Sequence, residues 1–383
     1  MKAASAANGG LGVAVPEFFA NNLKAGGGDR LAAADAGTGE ALTWAQVDRL
    51  AWAYASWCAD VAELLEGGVV ALFARNCVQY TPFWLGAARA GCRTALVNTN
   101  LAGVALRHCL KLAFQGEPGE GGVPYSQLHR EHHVVCSPEL CVAASDAVSH
   151  ADLAGLGATV WSLLPPAEAD GELPASVESL HGAQLEELME AAGRAREDRR
   201  TSASKDWRST VLYIYTSGTT GMPKAARITH ARVWYTGVSV AMCYDMRRTD
   251  VLYTGGLPLF HTIGAMSTVG ACWARGCAMV LRRKFSARSY MKDCVEHKAT
   301  VGFYIGELLR YMLAVAPSQA DTAHTLRVLV GNGARPEIWA KFRRRFKVRH
   351  NITLKSRVWP HLIAWNAQFN AHKPSLDVER CCS

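Results

Sequence analysis

The sequence predicts an α/β protein built from two α/β subdomains. Short β-branched runs alternate with helical periodicity over residues 40–115, and the same rhythm returns from Asp206. Strand, helix, strand in that order implies parallel pairing through helical crossovers. The chain of 383 residues is 49% hydrophobic and 19% charged. That composition excludes a disordered chain, and the length suffices for two or three domains with a large core.

Thr43 is placed to cap a helix carrying Val47, Leu50, Ala51 and Tyr54 at helical spacing. Gly67 and Gly68 punctuate it, and Val69–Phe73 reads as a buried strand. A second helix is predicted around Thr81–Ala90, ended by Gly91, with a strand at Arg93–Val97 after it. These elements make residues 1–115 the first α/β subdomain region. Residues 116–205 change character: Gln115 to Val123 is glycine-rich, and 165–200 carry Ala, Glu, Pro and Arg up to a charged run at Arg194–Arg200. This stretch reads as a variable surface segment. His129, His132, His133, Cys136 and Cys141 fall in it and are zinc-ligand types, but their spacing fits no common zinc module. They are read as surface residues, and no metal ligand is assigned. Val211–Tyr215 is a dense strand signal, which opens the second subdomain, 206–350. Residues 351–383 form a tail.

The net charge of +8 is modest, and much of it sits in Arg335, Lys341, Arg343, Arg344, Arg345, Lys347 and Arg349. Such a run reads as a solvated helix face. No nucleic-acid module or aromatic interleaving accompanies it, so no nucleic-acid partner is expected. An acidic membrane surface is the remaining reading. Twelve cysteines include no CxxC pair, although Cys136/Cys141 and Cys272/Cys277 share a four-residue gap. Residues 1–25 show no secretory pattern, which points to reduced thiols in an intracellular compartment. The most apolar stretch, Thr262–Leu281, contains Arg275 and many small residues. A membrane span needs about 20 strongly apolar residues, so this stretch reads as a buried helix running into a strand.

The most informative segment is Tyr215-Thr216-Ser217-Gly218-Thr219-Thr220-Gly221-Met222-Pro223-Lys224. Gly218 and Gly221 let backbone N–H groups approach an anion closely. Thr216, Ser217, Thr219 and Thr220 add hydroxyl donors, and Lys224 adds a full positive charge. This set suits a polyphosphate. It is not a Walker A loop, because Pro223 precedes the lysine and Ala225 follows it.

This loop resembles the signature of the adenylate-forming superfamily. Further segments narrow the resemblance: Leu257–His261, Arg282–Ala287, Tyr304–Leu308, Gly331–Arg335, Asn98–Leu101 and His108–Leu110. Together they are similar to the very-long-chain acyl-CoA synthetase / fatty acid transport protein branch, over roughly residues 40–112 and 208–349. The resemblance implies the large N-terminal domain of the adenylate-forming fold. It implies ATP-dependent activation of a long or very long fatty acid to an acyl-adenylate, then transfer to CoA, with Mg²⁺ accompanying the ATP. Residues 216–221 and Lys224 would then hold the phosphates. Gly331, Asn332, Gly333, Ala334 and Arg335 would line the adenine site. His261, the candidate catalytic residue, would border the acyl pocket, and Glu307 reads as a structural or a catalytic carboxylate. A peripheral association with the endoplasmic reticulum or peroxisomal membrane is also implied.

The resemblance stops near Asn351. The Tyr-Gly-x-Thr-Glu motif expected after the basic helix is absent from the sequence, as are the ribose-binding Asp, the hinge and the small C-terminal domain. The chain is therefore expected to lack most of the later β-barrel part and that domain, and an abnormal end to the reading frame is the simplest account. Two other readings stand beside the synthetase: a non-catalytic nucleotide or fatty-acid binding fragment, and a ligase for another carboxylate such as carnitine or a bile acid.

Overall fold

The computed structural model describes residues 14–24, 27–115, 132–166, 172–199, 206–217, 221–348 and 350–353. His129, Gly218, Thr219, Thr220, Arg349, most of the glycine-rich stretch after Gln115 and the tail from Leu354 lie outside the described residues.

Helix α1 (Val15–Lys24) precedes the hairpin of β1 (Leu31–Asp35) and β2 (Ala41–Thr43). Helix α2 (Trp44–Ser56) is capped by Thr43, as the sequence predicts, and the cap is a full capping box with Gln46. The Thr43 hydroxyl accepts the Gln46 N–H at 3.2 Å, and the Gln46 side-chain oxygen accepts the Thr43 N–H at 2.8 Å. Then come β3 (Val69–Phe73), α3 (Tyr80–Arg89), β4 (Arg93–Leu96) and α4 (Gly103–Gln115). The next segment holds β5 (His132–Cys136), α5 (Cys141–Ser149), β6 (Ala158–Ser162), β7 (Val177–Ser179) and α6 (Ala183–Arg199). The hairpin β8 (Thr210–Ser217) and β9 (Pro223–Thr229) leads into α7 (His230–Cys243) and β10 (Val251–Tyr253). A buried π-helical turn, Ile263–Val269, continues into α8 (Gly270–Arg275) and β11 (Ala278–Leu281). The series closes with α9 (Tyr290–Glu296), β12 (Val301–Ile305), α10 (Gly306–Ala314), β13 (Val328–Asn332), α11 (Pro336–Phe346) and β14 (His350–Thr353).

Two seven-stranded sheets result, in the orders β7-β6-β5-β3-β4-β8-β9 and β14-β13-β12-β10-β11-β1-β2. Each is parallel except at one edge, where β9 runs antiparallel to β8 and β2 antiparallel to β1. The sheets do not follow the sequence blocks. Residues 31–43 join the sheet of residues 251–353, and β8-β9 join the sheet of residues 69–179. One apolar core runs through both sheets and the helices between them, from Leu72 and Tyr54 to Leu252 and Val330. Helices α7 and α8 meet backbone to backbone: a Cβ on Gly237 would fall 2.3 Å from the Gly270 carbonyl oxygen.

The segment read as variable surface is largely structural. All five residues of β5 are buried, which corrects the assignment of His132, His133, Cys136 and Cys141 to the surface. A parallel strand covered on both faces shows no alternation, so His-His-Val-Val-Cys gives no inward-outward pattern to read. Helix α6 packs Ala192 against Trp52 and Ala55 of α2. The basic helix α11 exposes Lys341, Arg343 and Arg344, as a solvated face should. Arg345 departs from that reading: it bonds Asp321 at 2.7 Å and the carbonyls of Leu313 and Val315. The stretch from Thr262 to Leu281 is a buried helical turn, helix and strand. Among the described residues no helix is long and apolar enough to cross a membrane.

Two buried histidines tie distant segments together as neutral rings. His133 Nε2–H donates to the Ala62 carbonyl, and its Nδ1 accepts the Trp161 indole N–H, both at 3.0 Å. His230 Nδ1 accepts the Val15 N–H at 3.1 Å. Burial pushes both down to about 4 from the ordinary 6.5. The unfolded chain therefore holds more protons than the folded one between these values. The stabilisation is complete above pH 6.5 and is lost as pH falls toward 4, at up to about 1.4 kcal/mol per pH unit for each ring. Urea midpoints at pH 7 and pH 5 should show the fall. His230→Asn, which keeps an acceptor but does not titrate, should reduce the slope; an unchanged slope would mean that His230 is not the group responsible.

Candidate functional site

The strand signal at Val211–Tyr215 becomes β8, held on one side by β4 in parallel (Thr94↔Leu212) and on the other by β9. The register pairs Thr216 with Lys224 and Ser217 with Pro223, so β8 and β9 form an antiparallel hairpin up to these residues. Gly221 has φ +86°, a backbone region that other residues rarely adopt. Helix α4 holds the hairpin at two points. The Tyr215 hydroxyl, buried, donates to the Cys109 carbonyl at 2.9 Å. The Nε2–H of His108 donates to the Pro223 carbonyl at 3.0 Å. Thr216 and Lys224 are exposed, and the Lys224 ammonium forms no ion pair among the described residues. The Thr216 hydroxyl donates to the Lys224 carbonyl at 3.5 Å, and the exposed Lys224 ammonium, unpaired among the described residues, is the donor the anchored hairpin offers to an anion.

The second motif closes β13. Gly331 sits in the strand, where a Cβ would come 2.2 Å from the Tyr304 carbonyl oxygen. Gly333 turns the chain with φ +73°, and Arg335 caps α11 with Pro336 in the first turn. A Cβ on Gly306 would lie 1.9 Å from the Gly333 carbonyl oxygen. The crossovers after β12 and β13 can therefore abut only as glycine against backbone. Gly333 and Arg335 are exposed there, and Asn332 and Ala334 are half-buried.

His261 follows β10, the neighbour of β12. Its ring lies against Phe260 with centroids 4.6 Å apart, and partial burial lowers its pKa from the ordinary value. Glu307 is exposed and pairs with Arg310 one helical turn on at 3.1 Å, so it is a surface ion pair in this structure.

The topology thus brings His261 and Gly331–Arg335 to the carboxyl edge of one sheet and Thr216–Lys224 to the carboxyl edge of the other. No hydrogen bond joins the hairpin to Gly331–Arg335 among the described residues. The joint between the two edges is made where Asn76, Arg75 and Glu139, which the sequence does not single out, meet the segments Leu257–His261 and Arg282–Ala287. Asn76, 5% exposed, follows β3. Its amide donates to the carbonyls of Leu257 (2.9 Å) and Arg282 (3.0 Å), and its oxygen accepts the Leu259 N–H (2.9 Å). Glu139, after β5, pairs with Arg75 at 2.9 Å and with Arg283 at 2.5 Å. Arg282 is in turn fixed by two bonds to Asp293, at 2.6 and 2.7 Å. Two concavities of about 500 and 450 Å³ lie elsewhere, around α10 and α11. Neither is lined by a residue of the three motifs.

Two mainly parallel sheets, with the β8–β9 hairpin and a strand-end glycine turn on their carboxyl edges, define an open α/β fold, a class in which ligands sit outside the carboxyl ends of the strands. Within that class, the profile of AMP-binding enzymes matches residues 19–114 and 134–353, and the chain belongs to this family. It is 36% identical to long-chain fatty acid transport protein 1 of Homo sapiens over 324 residues, covering 84% of this chain and 45% of the relative. It is 34% identical to long-chain fatty acid transport protein 2 of Rattus norvegicus over 313 residues, covering 80% and 45%. The chain spans about half the length of the curated relatives it matches. The fold matches the N-terminal domain of FACL13 from Mycobacterium tuberculosis, with a TM-score of 0.67 and 22% identity, covering 89% of this chain and 75% of that one. This is the N-terminal domain of the adenylate-forming fold, as the sequence predicts.

Proposed function

We propose that this chain carries the activating part of an AMP-forming fatty acyl-CoA synthetase. The observation that carries the reading is the anchored hairpin, with its exposed Lys224 ammonium unpaired among the described residues, inside an AMP-binding family match. In this reading the substrate carboxylate attacks the α-phosphate of MgATP, forming an acyl–phosphate bond and releasing pyrophosphate. The CoA thiol then attacks the acyl carbon and AMP leaves. Residues 216–221 and Lys224 hold the β- and γ-phosphates, where charge builds up as pyrophosphate departs. Gly331–Arg335 line the adenine, with the exposed Gly333 and Arg335 nearest solvent. His261 borders the acyl chain. The fatty acid transport names of the relatives support a long-chain fatty acid as the carboxylate. Such a substrate partitions into bilayers, which favours peripheral association with the endoplasmic reticulum or peroxisomal membrane.

The test is formation of AMP and acyl-CoA from a long-chain fatty acid, MgATP and CoA, alongside calorimetry with MgATP. A charge-assisted bond contributes about 1.5–3 kcal/mol. Lys224→Ala should therefore weaken MgATP binding about 10- to 150-fold, by the same principle, and leave the urea midpoint unchanged. Equal affinity in the two proteins would remove the hairpin from the phosphate role. Heat with MgATP and with fatty acid, but no AMP, would favour a binding protein over the enzyme.

A further inference from the structure

The proposed reaction makes no use of Cys136 and Cys141, which share one of the two four-residue gaps noted in the sequence. Cys136 ends β5 and Cys141 begins α5, with only Ser137 and the turn Pro138–Leu140 between them. Both side chains are buried, and their sulfurs are 3.2 Å apart. The Cys136 thiol also reaches the Trp161 carbonyl at 3.4 Å, and the Cys141 thiol the Ser137 carbonyl at 3.6 Å. At the other gap, the Cys272 thiol is taken up by the Cys277 carbonyl at 2.7 Å.

We propose that Cys136 and Cys141 form a redox-modification site, a dithiol that a hydroperoxide converts to an intramolecular disulfide. The Cys141 thiolate attacks the peroxide oxygen and takes it as a sulfenic acid, releasing water or an alcohol once the leaving oxygen is protonated. The Cys136 sulfur then attacks the Cys141 sulfur, the S–O bond breaks, and a second water leaves with the Cys136 proton. Two thiols lose two electrons, which reduce the peroxide. A small dithiol reverses the reaction by exchange.

The order of attack follows from position: Cys141 opens α5, where the helix N-terminus favours a thiolate. The sulfur–sulfur contact acts in the same direction, lowering the Cys141 thiol and raising Cys136. Cys141 is thus the nucleophile and Cys136 the resolving thiol. Buried thiols react slowly, so opening of the turn limits the rate. The segment that must open is the single short 3₁₀ turn between the cysteines, and Val142, next to Cys141, is already exposed.

The turn also carries the joint between the sheets. Ser137 Oγ accepts the Arg75 N–H at 2.9 Å, and Glu139 holds the Arg75 and Arg283 guanidinium groups. Bond formation brings the sulfurs closer by about 1 Å. The thiol state is thereby coupled to the contacts that join the two carboxyl edges.

The experiment treats the reduced full chain with hydrogen peroxide, blocks remaining thiols with N-ethylmaleimide in denaturant, and digests it without reductant. The expected product is a peptide containing both cysteines, lacking two hydrogens, unalkylated, and restored by dithiothreitol. Cys136→Ser should instead leave Cys141 as a sulfenic or sulfinic acid. Should that variant fail to fold, phenylarsine oxide tests the wild-type pair directly, since it bridges two adjacent thiols in one adduct. Full alkylation of both cysteines after peroxide, a bond from either to a different cysteine, or no bridging arsenical adduct would overturn the proposal.

Discussion

Asp48→Ala should destabilise the fold by about 3–5 kcal/mol, because it removes the carboxylate that pairs with a buried guanidinium. Arg89 and Asp48 expose only 4% and 5% of their side chains, and their charged atoms lie 2.5 Å apart. Arg89 also donates to the Asp48 carbonyl at 2.9 Å and stacks over Trp52 at 4.6 Å. The pair locks α2 to α3, two helices that pack on one face of the first sheet. Replacing both partners by apolar residues, Asp48→Leu with Arg89→Met, removes both charges from the core. The double variant should recover most of the loss, since desolvating two charges offsets much of what their attraction contributes. Urea unfolding of the three proteins at pH 7 gives the answer. A double variant as unstable as Asp48→Ala would show that the hydrogen bonds and packing of Arg89, and not its charge balance, hold the helices.

Asn76→Ala should cost about 3 kcal/mol or more, the sum for two carbonyls and one N–H left without a partner in a buried position. Its effect on function should exceed that of other substitutions of equal cost. The three lost bonds are those that hold the Leu257–Phe260 loop and the end of β11 against the end of β3. MgATP affinity, measured in the cold where the variant remains folded, should fall even though Asn76 lies in none of the three motifs. Unchanged affinity with lowered stability would show that the two edges bind nucleotide independently, and unchanged stability would show that water takes over the three bonds.

Much of the local structure is legible in the sequence. Thr43 caps α2 as its position announces, Val69–Phe73 and Arg93–Leu96 are strands, and Gly91 takes φ +75° where α3 ends. Tyr215–Lys224 is recognisable because a strand, small residues, hydroxyls and a lysine are consecutive. The burial of β5 is hidden because a doubly covered strand lacks alternation. The interleaving of the two sheets is hidden because β1 pairs with β11, and nothing in Leu31–Asp35 names a partner so far along the chain.

By itself the sequence determined the α/β class, the family and the three loops that carry the candidate chemistry, since each is written in residues a few positions apart. Tertiary structure alone decided how those loops are held. Asn76 acts on Leu259 across 183 residues, His108 on Pro223 across 115, and Arg89 on Asp48 across 41. Such partners leave no periodicity in the chain. They are chosen by which buried polar groups the packed sheets bring within hydrogen-bond reach.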